Sequence, residues 1–364
     1  MRRFFLHILV CVFTVATAFA QSDTRATTWD IHYLNGPVLE HNPDIGQLIL
    51  GHTQGILIKY NRPTFGEKEW QQRYNYPDWG VSFLYQNLGN PVLGDNLAAY
   101  GHYNFYFLNR NLSLTLGTGI AYNTNPYDAE TNFRNLAYGS HLMSTSMMGL
   151  AYKKERVLGD FGFEAGVQLV HYSNGRLRTP NTSTNILTAS FGVNYDPLVV
   201  RKYQLSEFPK TYSEPIHVNV TLQGGVNENN IIGLDRKSFA GLQVFADKRL
   251  SYKSTVQFGA ELFLSGAMKQ YIEYRAIAFP EEDISLGDDS KRIGLFAGYE
   301  LRVSRTAIFA HLGYYVYYPV NFEGRIYNRL GVKRYFGDHF YGLVAVKAHA
   351  AKAEALEFGI GYRL

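Results

Sequence analysis

The chain has 364 residues, 46% hydrophobic and 15% aromatic, with a formal net charge of +4. That size and composition can bury a large core or close a barrel, which excludes small disulfide scaffolds and disordered chains. So small a net charge creates no field strong enough to argue for nucleic acid.

Arg2 and Arg3 precede a nearly unbroken apolar run, Phe4 to Ala18, and Ala18-Phe19-Ala20 offers the small residues a signal peptidase reads. Residues 1–20 are therefore expected to be a cleaved signal peptide, residues 21–46 a periplasmic N-terminal segment, and residues 47–364 one outer-membrane β-barrel. Cys11 is the only cysteine and falls inside the signal peptide, so the exported part has no thiol, disulfide or Cys-metal site.

Beyond residue 20 no stretch of eighteen apolar residues occurs, and the pattern becomes alternation. Leu112, Leu114, Leu116, Ile120 and Tyr122 share one face, against Ser113, Thr115, Gly117, Gly119 and Ala121. Ile216, Val218, Val220 and Leu222 oppose His217, Asn219, Thr221 and Gln223, and Leu356, Phe358, Ile360 and Tyr362 oppose Glu357, Gly359, Gly361 and Arg363. A period of two is a β-strand signal. These runs are longer than strands of a soluble sandwich, and a tilted bilayer crossing takes about 9–11 residues. The expected fold class is all-β: a transmembrane antiparallel β-barrel of about fourteen strands, within a range of twelve to sixteen.

Loop lengths orient it. Asn109-Arg110, Arg156 to Gly159, Leu250-Ser251 and Val303-Ser304 are short turns; Asn123 to Gly139, Asn174 to Thr184, Asn227 to Arg236 and Ala267 to Lys291 are long. Such barrels keep short turns on the periplasmic side and long loops outside. Two features resist a count of fourteen. Pro197 to Glu214 is long yet falls on the short-turn side, reading as a periplasmic excursion, and Gln47 to Tyr60 is a fifteenth candidate strand. Glu164, Gln168, Asn219, Gln223, Glu261 and Glu300 have inward parity, suiting a channel or a packed polar core.

The chemistry gathers at one hairpin. In Phe161 to Ser173, Phe161, Phe163, Val167 and Leu169 face lipid, and His171 and Ser173 share their parity. Asn185 joins the outward set of the next strand, with Leu187, Ala189 and Phe191. Polar residues are costly on a lipid face, and an interfacial polar girdle is the bland explanation. The sequence His171-Tyr172-Ser173-Asn174-Gly175, followed by Pro180-Asn181, resembles the lipid A 3-O-deacylase family of outer-membrane barrels. The resemblance is specific over about fifteen residues and extends weakly from Gly139 to Tyr195; beyond that only barrel character is shared.

The resemblance implies a serine esterase on the barrel's outer wall that acts on lipid A in lipopolysaccharide. It makes Ser173 the nucleophile, His171 the general base and Asn181 the oxyanion-stabilising amide, with Asn174 and Gly175 shaping the loop. Where some family members carry a Glu, this chain has Asn185, which can fix a histidine tautomer but adds no charge. Arg176 and Arg178 are candidates for lipid A phosphates. His52, His102, His141 and His311 lack metal-ligand spacing, and no phosphate-binding or dinucleotide motif occurs, so no metal or cofactor is expected. The alternative function is a non-catalytic barrel or channel that retains the motif.

Overall fold

The computed structural model describes residues 27–197, 201–208, 212, 214–350 and 352–364; the expected signal peptide lies outside them. Among the described residues sixteen strands form two closed barrels of eight, not one barrel of fourteen. The first barrel comprises β1 (Thr28–Leu39), β2 (His52–Arg62), β3 (Asp78–Asn87), β4 (Asp95–Phe107), β5 (Leu112–Asn123), β6 (Leu142–Leu158), β7 (Phe161–Ser173) and β8 (Thr184–Tyr195). The second comprises β9 (His217–Asn227), β10 (Lys237–Arg249), β11 (Ser254–Ser265), β12 (Arg292–Val303), β13 (Thr306–Tyr317), β14 (Ile326–Phe336), β15 (Phe340–His349) and β16 (Lys352–Arg363). Every neighbouring pair is antiparallel, and β1 closes on β8 as β9 closes on β16.

This arrangement resolves both features that resisted the expected count. Residues 28–39, expected in a periplasmic segment, are β1, and the fifteenth candidate is its hairpin partner β2, with Ile31 opposite Ile58. β1 hides from a hydrophobicity reading because its inward face carries Asp30 and His32 and its far end contains Pro37. The long connection after Tyr195 joins one barrel to the next. Eight is an even number, so each barrel ends on the side where it began, and β9 starts from the short-turn end like β1. Both barrels consequently point their long loops the same way.

Alternation sorts the side chains as expected of a membrane barrel. Ile31, Phe83, Phe191, Phe258 and Leu312 stand exposed on the outer walls, and Ile360 is 71% exposed. Glu164, Gln168, Asn219, Gln223, Glu261 and Glu300 are all buried inside. No described helix is long and apolar enough to cross a membrane. The strands run 10 to 17 residues, the length a tilted crossing takes.

Both interiors are filled. In the first barrel Lys153 lies 3.2 Å from Asp30 and 2.9 Å from Glu164, and Lys59 lies 3.3 Å from Asp30 and 3.4 Å from Glu164. Two cations facing two anions cancel most of the cost of taking each out of water. Above them Leu34, Leu57, Leu84, Val170, Tyr172 and Ile186 form an apolar layer toward the long loops. The second barrel stacks an aromatic layer, Phe245, Phe296, Phe309, Tyr335 and Tyr341, against its own ion pairs. Eight strands leave an interior that side chains fill, so the channel reading loses the wide lumen on which it rested.

The barrels touch at both ends. On the short-turn side Trp70, Tyr74 and Phe105 of the first barrel pack with Val303 of the second, and Tyr74 donates to the Arg302 carbonyl at 2.7 Å. On the long-loop side the contact is made by the β7–β8 loop, residues 174–183, beside the histidine-serine motif.

Candidate active site

Parity and pairing assemble the motif. β7 pairs His171 with Asn185 of β8 and with Ser146 of β6, while Ser173 lies opposite Ser144. His171, Ser173 and Asn185 all have outward parity, at the end carrying the long loops. His171 Nδ1 donates to Asn185 Oδ1 at 2.8 Å. A carbonyl oxygen only accepts, so the proton is on Nδ1 and Nε2 keeps its lone pair, the tautomer a general base needs.

Ser173 departs from the simplest expectation of a side chain open to lipid: it is only 3% exposed. The loop after it turns sharply, with Gly175 at φ +61, and folds back over the hydroxyl. The Gly175 N–H donates to Ser173 Oγ at 3.1 Å, and Asn181 Nδ2 donates to the same oxygen at 3.0 Å. Asn181 Oδ1 in turn accepts from the Asn174 N–H at 2.9 Å, and Asn174 Nδ2 donates to the Arg178 carbonyl at 2.7 Å. One asparagine side chain thus spans seven residues of loop and fixes both sides of the serine.

The loop's outer flank is held by the β5–β6 loop. Thr182 and Ser183 N–H groups donate to the carbonyls of Leu136 and Ala137 at 3.1 Å each. Gly139 permits this approach: a Cβ there would come within 2.5 Å of the Arg178 carbonyl oxygen and 2.6 Å of that of Pro180.

The two arginines part company. Arg178 is exposed on the loop. Arg176 is 8% exposed, with Nη2 3.0 Å from Glu323 of the β13–β14 loop and its guanidinium over the Phe322 ring. The expectation that Arg176 meets lipid A phosphates is corrected on this ground: its charge is already neutralised inside the protein. Burial pushes the Glu323 carboxyl above its ordinary range, against the pull of Arg176.

Three neighbours were absent from the sequence reading. Ser144 Oγ donates to the Ser173 carbonyl at 2.8 Å, and His41, just beyond β1, contacts the Thr182 carbonyl through Nε2 at 3.0 Å. Glu228 of the β9–β10 loop accepts from the Thr179 N–H at 2.7 Å. Each lies at least 29 residues from its partner, and no local pattern announces such a pair. The four histidines noted in the sequence have ordinary partners: His102 meets Ser82 and Asn61, His311 meets Gln257, His52 meets Asn35, and His141 meets the Asn123 carbonyl.

Asn181 joins the serine to its loop through both ends of one amide. Replacing it by Ala removes one donor to Ser173 and frees the Asn174 N–H. The expected result is a fall in ester-hydrolysis kcat of about 10²–10³-fold with little change in barrel stability, checked by turnover and by heat-modifiable gel migration.

Comparison with known proteins agrees with this architecture barrel by barrel. Residues 54–194, from β2 to the end of β8, match the family model "Lipid A 3-O-deacylase (PagL)". Residues 216–364, the whole second barrel, match "Acyloxyacyl hydrolase, C-terminal domain". No curated protein matches. Among solved structures the chain is similar to the outer membrane enzyme PagL, at 18% identity and a TM-score of 0.29, covering 46% of this chain and 99% of that one. It is also similar to a mutant form of the Rhodopseudomonas blastica porin, at 10% identity and a TM-score of 0.21, covering 93% of this chain and 99% of that one. Each barrel thus carries its own family match, the first to the lipid A 3-O-deacylase (PagL) family and the second to the acyloxyacyl hydrolase C-terminal domain.

Proposed function

We propose that this protein hydrolyses the 3-O-linked acyl ester of lipid A in the outer leaflet, with Ser173 as nucleophile and His171 as general base. The observation that carries the reading is the joint geometry of the motif. His171 is held in the base tautomer by Asn185, and Ser173 Oγ receives two N–H donors, from Gly175 and Asn181. In the reaction Oγ attacks the acyl carbonyl and its proton passes to His171 Nε2. The lipid A oxygen leaves with that proton, and water then cleaves the acyl-enzyme to release the fatty acid. The donors that now rest on Oγ are those available to the oxyanion. Arg178, exposed on the same loop, is the candidate contact for a lipid A phosphate. Residues 1–20 direct export as a signal peptide that is then removed.

Purified protein in detergent, given lipid A, should release 3-hydroxy fatty acid detectable by mass spectrometry. Asn185 separates this reading from that of a motif kept without its reaction. Asn185→Ala takes away the partner of His171 Nδ1, and the rate should fall by about 10-fold or more. Asn185→Glu preserves the hydrogen bond and adds charge that stabilises the imidazolium, so hydrolysis near neutral pH should hold or rise. If neither the unmodified protein nor Asn185→Glu releases fatty acid, the chain is a non-catalytic barrel.

A further inference from the structure

The second barrel reaches into the first at the loop that covers Ser173. Three residues of that loop, Gly175, Arg176 and Thr179, make the contacts. Arg176 pairs through Nη2 with Glu323 Oε1 at 3.0 Å, and its carbonyl accepts from the Glu228 N–H at 3.0 Å. The Thr179 N–H donates to Glu228 Oε2 at 2.7 Å, and Thr179 Oγ1 donates to the Asn229 carbonyl at 2.6 Å. Gly175 lies so close to β16 that an added Cβ would stand 2.9 Å from Leu356 Cβ. Three separate segments of the second barrel, the β9–β10 loop, the β13–β14 loop and β16, therefore close on one short stretch.

These contacts are buried and charged, so losing one partner strands the other. Arg176, Thr179 and Asn229 are all below one-tenth exposed. Glu323 lies on the second barrel's β13–β14 loop, its Oε2 3.6 Å from His349 Nδ1 of β15, beyond hydrogen-bond reach, and beside Glu354, which pairs with Lys347 at 2.7 Å and with Arg292. The clamp thus anchors to the wall and interior of the second barrel. Its other end falls on the residues that present the Gly175 N–H and carry Asn181 back to Ser173.

We propose that the second barrel supplies positioning residues for the first, with Glu323 and Glu228 holding the 174–183 loop so that Gly175 and Asn181 aim at Ser173. The proposal rests on the esterase reading for its kinetic consequence, but the clamp itself has a readout that needs no turnover. A loop free to shift by an ångström misaligns the donors and moves Arg178 with them. The larger cost falls on kcat, by about 10- to 100-fold, with a smaller rise in KM from the displaced Arg178.

The test uses the full-length protein in detergent, with Glu323→Gln and Glu228→Ala as two variants on different loops and the exchanged pair Arg176→Glu/Glu323→Arg. Acyl release from lipid A gives kcat and KM, and hydrogen–deuterium exchange reads the amides of residues 174–183. Both single variants should lose more in kcat than they gain in KM and exchange faster in that loop than in β7, and the exchanged pair should recover part of the kcat lost by Glu323→Gln. Unchanged kcat and unchanged loop exchange in both single variants overturn the proposal, as does a loss of kcat without faster exchange. Should the unmodified protein show no turnover, the esterase reading fails by itself and loop exchange alone decides the clamp: acceleration supports it and no change overturns it.

Discussion

Replacing Ser173 by Ala should abolish acyl release, lowering it at least about a thousandfold, because it removes the proposed nucleophile. Ser144, across the ladder from Ser173, donates its hydroxyl to the Ser173 carbonyl and is held away from that role. The fold should survive. Ser173 Oγ serves only the loop above it, through Gly175 and Asn181, and no ladder bond of β7 depends on it. The measurement is mass spectrometry of 3-hydroxy fatty acid released from lipid A, with heat-modifiable migration as the control for closure. A Ser173→Ala protein that keeps the unmodified rate, in either the Asn185 or the Asn185→Glu background, ends the esterase assignment.

The largest structural effect is expected from Arg329→Met in the second barrel. Arg329 is fully buried and bridges two carboxylates: Nε reaches Glu357 at 2.6 Å and Nη2 reaches Glu261 at 2.9 Å. Without the guanidinium, Glu261 and Glu357 face each other in a dry interior with no cation between them. The cost is about 3–5 kcal/mol, most of it the penalty of the stranded charge. Arg329→Met/Glu357→Gln should recover part of that loss, since it removes one of the two stranded carboxylates. The two barrels close independently, so the damage should be confined. Trp29, Trp70 and Trp79 are the only tryptophans and all belong to the first barrel and its loops. Tryptophan emission during urea unfolding, read in a Trp70→Phe background because Trp70 packs with Val303 of the second barrel, should therefore keep its midpoint while the mobility shift on gels is weakened or lost. A variant whose two probes both match those of the unmodified protein would show that Arg329 contributes nothing net.

What the sequence alone determined is what a period of two encodes. Outward Phe163 and Val167 against inward Glu164 and Gln168 follow from strand geometry, which is local, so the parity of His171, Ser173 and Asn185 was readable residue by residue. The motif around Ser173 was likewise contiguous, and loop lengths placed it at the outer end. The number of barrels was not readable. Alternation is the same whether β8 is followed by a ninth strand of one sheet or closes on β1, and that choice lies in the pairing of Val193 with Ile31 and of Tyr195 with Trp29. β1 itself escaped because an interior that holds ion pairs puts Asp30 and His32 where a hydrophobic pattern expects quiet residues. Asn181 could be placed in the loop, but its reach back to both Ser173 and Asn174 depends on the turn at Gly175. Only tertiary structure decided the fate of Arg176. A loop arginine beside an esterase motif looks free for phosphate until a second barrel, 147 residues further on, brings Glu323 against it. Charge chooses its partner by distance in space, and that distance is fixed by how two separately closed barrels pack.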